Sequence, residues 1–93
     1  MPQAKTESAK KKCHTGWVCL YSGKNFTGRM LRFSGEYAVD LTKYGFGKKT
    51  SSWKNKTSDT AFLDGFGPKL RLKPGASDGN MGRFDNWATV LYP

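Results

Sequence analysis

A pattern recurs in this chain about 39 residues apart, and it limits what the chain can fold into more than any other feature. "GRMLRF" at residues 28–33 is echoed by "GPKLRL" at residues 67–72. "FGKKTSS" at residues 46–52 is echoed by "FDNWATV" at residues 84–90, at an offset of 38. A period near 40 with several short apolar runs in each unit predicts two similar all-β units. Neither unit is long enough to bury its own apolar face. The two must share a core, so the expected architecture is one sandwich.

The runs inside each unit fit strands. "WVCLY" at residues 17–21 is continuously apolar. "RMLRF" alternates, with Leu31 and Phe33 on one face and Met30 and Arg32 on the other. Leu31, Phe33, Leu70 and Leu72 are expected to point inward, and Arg32, Arg71 and Lys73 outward. Eleven glycines in 93 residues predict tight turns rather than long helices. "EYAVDLTKY" at residues 36–44 predicts one helical turn or an ordered loop. Residues 1–12 are polar and lysine-rich without periodicity, and the expectation there is a disordered basic tail. The remaining residues 13–93 are expected to form one domain, with the units at about 15–56 and 57–93. No apolar run approaches the length of a membrane-spanning helix.

Sixteen Lys and Arg against seven Asp and Glu give a formal net charge of +9. Such a charge draws a protein toward polyanions without choosing among them. Five lysines (Lys43, Lys48, Lys49, Lys54 and Lys56) fall within fourteen residues and form a candidate basic surface. Tyr44, Phe46 and Trp53 lie between them, a mixture suited to single strands or sugar polymers. The same aromatics are needed for a sandwich core, which is the reading favoured here. No motif of a dedicated nucleic-acid reader is present, so no specific nucleic acid is expected as partner.

Cys13 and Cys19 are the only cysteines. Their spacing fits a small disulfide loop and an oxidising compartment; two free thiols is the other reading. A zinc site is not expected, because His14 is the only histidine. No catalysis is expected either. His14 and Cys13 are neighbours on a chain that turns them to opposite faces, and the carboxylates are scattered. "MPQAKTESAKKK" has no apolar core of a signal peptide, which fits a mature form with an added Met, export by another route, or a protein that stays inside; the cysteine pair favours the first.

"YSGKNFTG" at residues 21–28 resembles the aromatic-x4-aromatic-x-Gly signature of a βγ-crystallin Greek key, carried by Tyr21, Phe26 and Gly28. "GFGKKTSSW" is similar to the end of that unit, Asn/Asp-Asn/Asp-x-x-Ser/Thr-Ser. Residues 13–90 as a whole resemble small secreted actinobacterial proteins of this fold, a peptidase-inhibitor family that includes a metalloproteinase inhibitor and killer-toxin-like proteins. In the second unit "FLDGFG" lacks the full aromatic spacing, and Thr89-Val90 stands for Ser-Ser.

The resemblance implies an all-β, βγ-crystallin-like sandwich of two Greek keys and a small secreted proteinase inhibitor, expected to act as a monomer on an extracellular protein such as a protease. Candidate inhibitory positions are Gly65, Phe66, Gly67 and Pro68 in one loop and Pro74 and Asp78 in the next. The alternatives are a cationic, toxin-like antimicrobial acting on anionic envelope polymers, and a structural or stress-related crystallin. Calcium-binding members of the wider class carry Asn or Asp where this chain has Gly47 and Lys48. That site is read as lost. Asp85, Asn86 and Thr89 keep the spacing and form a weak calcium candidate; no other cofactor is expected. The P-loop alternative for residues 45–55 fails because the stretch leads into a strand and not a helix.

Overall fold

The computed structural model describes residues 3–34, 38–65, 69–82 and 85–92. Among these residues nine strands form in chain order: β1 (Gln3–Ser8), β2 (Val18–Gly23), β3 (Thr27–Ser34), β4 (Val39–Asp40), β5 (Ser52–Asn55), β6 (Ala61–Asp64), β7 (Leu70–Leu72), β8 (Ser77–Asp78) and β9 (Val90–Tyr92). They make two antiparallel sheets, ordered β1-β3-β2-β5-β8 and β4-β9-β6-β7. No helix among the described residues is long and apolar enough to cross a membrane.

The repeat is visible in this order. Strands β2 to β5 form one unit and β6 to β9 the other. The third strand of each unit leaves its own sheet for the partner sheet. β4 pairs with β9 through Val39 and Leu91, and β8 pairs with β5 through Trp53 and Asp78. Each sheet is therefore incomplete without the other unit, which is why the two fold as one body.

The core lies between the sheets. Val18, Leu20, Leu31, Phe33, Phe46 and Trp53 meet Leu63, Leu72 and Leu91 there. Leu31, Phe33 and Leu72 are buried as the alternation predicts, and Leu70 packs partly buried against them. Arg71 and Lys73 are exposed, and Arg32 is half-buried. Tyr44 packs on this core while Phe46 and Trp53 belong to it, so the interleaved aromatics are packing residues.

β2 is apolar on both faces because both faces are covered. Val18 and Leu20 enter the main core. Cys19 and Tyr21 face outward with Met30 and join Cys13 in a second buried cluster, on which Ala9, Trp17 and Phe26 rest. The lid on this outer face is the segment 9–17, which leads from β1 into β2.

The signature glycine behaves as the resemblance implies. Tyr21 and Phe26 meet edge to face with ring centres 5.5 Å apart. Gly28 has φ +81°, and a Cβ there would lie 2.5 Å from Ser22 Oγ. Residues 36 and 37 fall outside the described residues. The rest of "EYAVDLTKY" becomes β4 and a 3-10 helix, Leu41–Tyr44, capped by Asp40 and closed by Gly45 at φ 71°.

The expectation of a disordered tail at residues 1–12 fails for residues 3–8. β1 pairs along its whole length with β3, from Gln3 opposite Ser34 to Ser8 opposite Arg29. Arg32 Nε lies 3.5 Å from Glu7 Oε2 across that pair. An edge strand is held chiefly by backbone hydrogen bonds. It needs no strong apolar alternation, so its composition reads as a tail.

Candidate functional site

The two corresponding turns of the repeat are joined by backbone hydrogen bonds. Lys48 has φ 57° and Asn86 has φ 55°, both left-handed. The Lys48 N–H donates to the Ala88 carbonyl at 2.8 Å, and the Asn86 N–H donates to the Thr50 carbonyl at 3.0 Å. Each turn thus reaches into the end of the other unit. The exchange divides the calcium candidate. Thr89 lines a cavity of about 240 Å³ with Thr42, Gly45, Gly47, Lys48 and Lys49. Asn86 instead accepts a hydrogen bond at Oδ1 from the Ser51 hydroxyl, at 3.2 Å.

The donor set at Asp85 fits calcium poorly. Asp85 Oδ1 is buried without a hydrogen-bond partner, as is Thr50 Oγ1. No group of three or more His, Cys, Asp or Glu side chains gathers anywhere among the described residues. Calcium takes six to eight oxygens, several of them anionic. Asp85 brings one carboxylate, and Asn86 already uses its amide oxygen.

The five candidate lysines do not form one patch. Lys48 and Lys49 line the cavity, with Lys43 on the neighbouring 3-10 helix. Lys54 sits on β5 with its ammonium 4.6 Å above the Phe26 ring, on the outer face of the first sheet. Lys56 follows β5, at the end opposite to Lys48 and Lys49. Its N–H donates to the Trp17 carbonyl at 2.9 Å. Asp40, beside Lys43, has its carboxyl held below the ordinary 3.8 by hydrogen bonds from the Thr42 hydroxyl and N–H, with Lys43 helping.

Of the second-unit loop positions, Gly65, Pro74 and Asp78 lie among the described residues. Gly65 packs against Trp87, whose carbonyl oxygen would lie 2.5 Å from a Cβ at that position. Phe66, Gly67 and Pro68 lie outside the described residues. Asp78 is part of β8 and accepts from the Asn80 N–H at 3.0 Å. Pro74 sits in an exposed turn whose base is fixed by Asn55. The Gly75 N–H donates to the Asn55 carbonyl, and the Asn55 N–H donates to Ala76.

Asn55 itself is fully buried. Its amide donates to the carbonyls of Leu72 and Asp59, at 2.8 and 2.9 Å, and its Oδ1 accepts from Thr57 N and Oγ1. Sequence reasoning did not single it out. The available signal was an Asn two residues before a Thr at a strand end, the pattern of an Asx turn.

Residues 9–12 were read as part of the tail, while the small disulfide loop expected at Cys13 and Cys19 forms. Cys13 and Cys19 are joined in a disulfide with Cα atoms 6.2 Å apart. His14 stands edge-on to Trp17 at 4.6 Å, and the Arg32 guanidinium lies 4.1 Å over the Trp17 ring. The Cys13 sulfur is consumed in the disulfide, so a Cys–His nucleophile is not available.

A model of peptidase inhibitor family I36 matches residues 6–63. The chain belongs to that family. The family match begins inside β1 and ends in β6, so it takes in the braced segment and the first turn. Gly65, Pro74 and Asp78 lie beyond it. No curated protein matches the chain. A solved structure described as "Evolution of the eye lens beta-gamma-crystallin domain fold" superposes with a TM-score of 0.81 at 18% identity, over 97% of this chain and 95% of that one. The family I36 chain therefore has the βγ-crystallin fold.

Proposed function

We propose that the protein is a secreted, non-enzymatic inhibitor that acts as a monomer on a peptidase. The observation that carries this reading is the family I36 match over residues 6–63. The intramolecular disulfide supports it, because such bonds persist in oxidising compartments. So does the exposed turn at residues 73–76, whose base is fixed by backbone hydrogen bonds to Asn55. An inhibitor gains affinity when its contact loop is rigid before binding, since little ordering entropy is then lost. The reading needs no cofactor. Weak calcium binding at Asp85 would appear as a melting temperature that rises with added calcium.

The test is titration of a metallopeptidase and a serine peptidase with the pure protein. Stoichiometric loss of activity supports the reading; full activity of both with the protein left intact contradicts it.

One observation favours a second reading, a cationic protein acting on an anionic envelope. Between residues 8 and 34 the chain carries six Lys or Arg and no acidic residue. Salt separates the two, because charge-driven binding weakens as the Debye length shrinks and loop-in-cleft inhibition does not.

A further inference from the structure

The segment between β1 and β2 has the physical properties an inhibitory loop requires, and it lies inside the matched residues. Lys10, Lys11, Lys12, His14, Thr15 and Gly16 are all exposed, while Cys13 between them is 3% exposed. Both ends are fixed. On one side the Ala9 N–H donates to the Gly28 carbonyl and the Lys11 N–H to the Ser8 carbonyl, each at 3.0 Å. On the other, the Gly16 N–H donates to the Lys56 carbonyl at 2.7 Å. The disulfide fixes the middle to Cys19, in the centre of the sheet between Arg32 and Lys54.

Within this frame the backbone of Lys12 and Cys13 makes no hydrogen bond among the described residues. Neither does the ammonium of Lys10, Lys11 or Lys12 take part in an ion pair there. A backbone with unused donors and acceptors can pair with the edge of a peptidase cleft as an added strand. A lysine beside it, with no acid partner of its own, suits a primary pocket that carries a carboxylate.

We propose that residues 10–14 are the segment the target peptidase grips, that the target is a peptidase specific for lysine, and that Lys12 fills its primary pocket. The proposal rests on the inhibitor reading above and gives it a site and a target class. It also gives β1 a role. Hydrolysis of the Lys12–Cys13 bond adds one water, leaving a carboxylate on Lys12 and an amine on Cys13. The Lys12 side stays bound through the six residue pairs of β1 with β3, and the Cys13 side through the disulfide. Neither product end can leave, so the bond re-forms in place and the peptidase remains occupied.

The experiment titrates trypsin, whose carboxylate-bearing primary pocket takes Lys or Arg, and a thermolysin-like metallopeptidase with the full chain and with Lys12→Ala. Lys24→Ala, in the exposed β2–β3 turn, is the control, and denaturant melts establish that each variant is folded. The expected result is stoichiometric trypsin inhibition, weakened at least about 30-fold by Lys12→Ala and unchanged by Lys24→Ala. Mass spectrometry then finds cleavage confined to the Lys12–Cys13 bond, and reduction of the disulfide turns the inhibitor into a rapidly cut substrate. Full trypsin activity, turnover of the intact protein as an ordinary substrate, or undiminished inhibition by Lys12→Ala overturns the assignment. If Lys12→Ala still inhibits the metallopeptidase while trypsin is unaffected, the inhibitor reading stands and this site falls. If neither enzyme is inhibited, both fall.

Discussion

Lys48 and Asn86 occupy the same place in the two units, 38 residues apart, and each sends its backbone N–H into the other unit's final turn. Both hold a left-handed backbone. The exchange ties the sheets together at one end of the sandwich, while the crossing strands β4 and β8 tie them along the edges. It also determines the chemistry near each turn. Lys48 and Lys49 bring positive charge to the cavity shared with Thr89, and Asp85 brings a single carboxylate near Ser51. A pair of sites that could serve a cation in a more acidic sequence is here cationic on one side and poorly supplied on the other.

Asn55 is expected to be a stability determinant. Asn55→Ala removes two donors from the Leu72 and Asp59 carbonyls and an acceptor from Thr57. Leaving such groups unpaired costs about 2–4 kcal/mol in all. Urea unfolding checks this. A loss under about 0.5 kcal/mol would mean that water replaces the side chain.

β1 should be part of the cooperative fold. A chain lacking residues 1–8 loses a full edge ladder and bares β3 from Arg29 to Ser34. It should unfold at lower urea and associate through that edge, as unprotected edges do. Urea midpoints and sedimentation check both effects. An unchanged midpoint would show that the pairing contributes nothing.

The pH dependence of one cap follows from its sign. The folded-state value of Asp40 lies below the ordinary 3.8 because the Thr42 hydroxyl and N–H favour the charged form. Its contribution is therefore present above pH 3.8 and is lost as pH falls through the lower folded value. Asp40→Ala should be less stable than the parent near neutral pH, and the gap should close in acid. Melts of the two proteins across that range check it, and a constant gap would contradict it.

The disulfide should act locally. Cys13→Ala with Cys19→Ala removes a cross-link over a short loop, for which the chain model gives about 2 kcal/mol. The two-sheet core should survive. Hydrogen exchange should rise in residues 9–17 well before it rises in β6 and β9. Equal loss of protection throughout would show that the outer cluster supports the whole fold.

The repeat and the alternation at residues 28–33 made the sandwich legible, because side-chain burial was the force that shaped those residues. The aromatic-Gly signature made the first Greek key legible for a similar reason, since Gly28 has no substitute at its backbone angle. β1 was hidden because an edge strand is stabilised by backbone bonds that leave little trace in side-chain pattern. Asn55 was hidden because its partners, the carbonyls of Leu72 and Asp59, meet it only through the fold. The five lysines between residues 43 and 56 read as one surface, yet β5 runs between them and carries Lys54 and Lys56 away from Lys48. The doubly apolar face of β2 was itself a clue to the cover over Cys19 and Tyr21, but it does not say which segment supplies that cover.

In the proposed function the protein inhibits a peptidase by a rigid contact rather than by charge. The measurement that tests it most directly is residual peptidase activity titrated with the pure protein at low and at high salt. The expected result is an end point at one inhibitor per enzyme that stays in place at high salt. Loss of inhibition at high salt, or no inhibition at either, would contradict it and move the weight to the basic face of the first sheet.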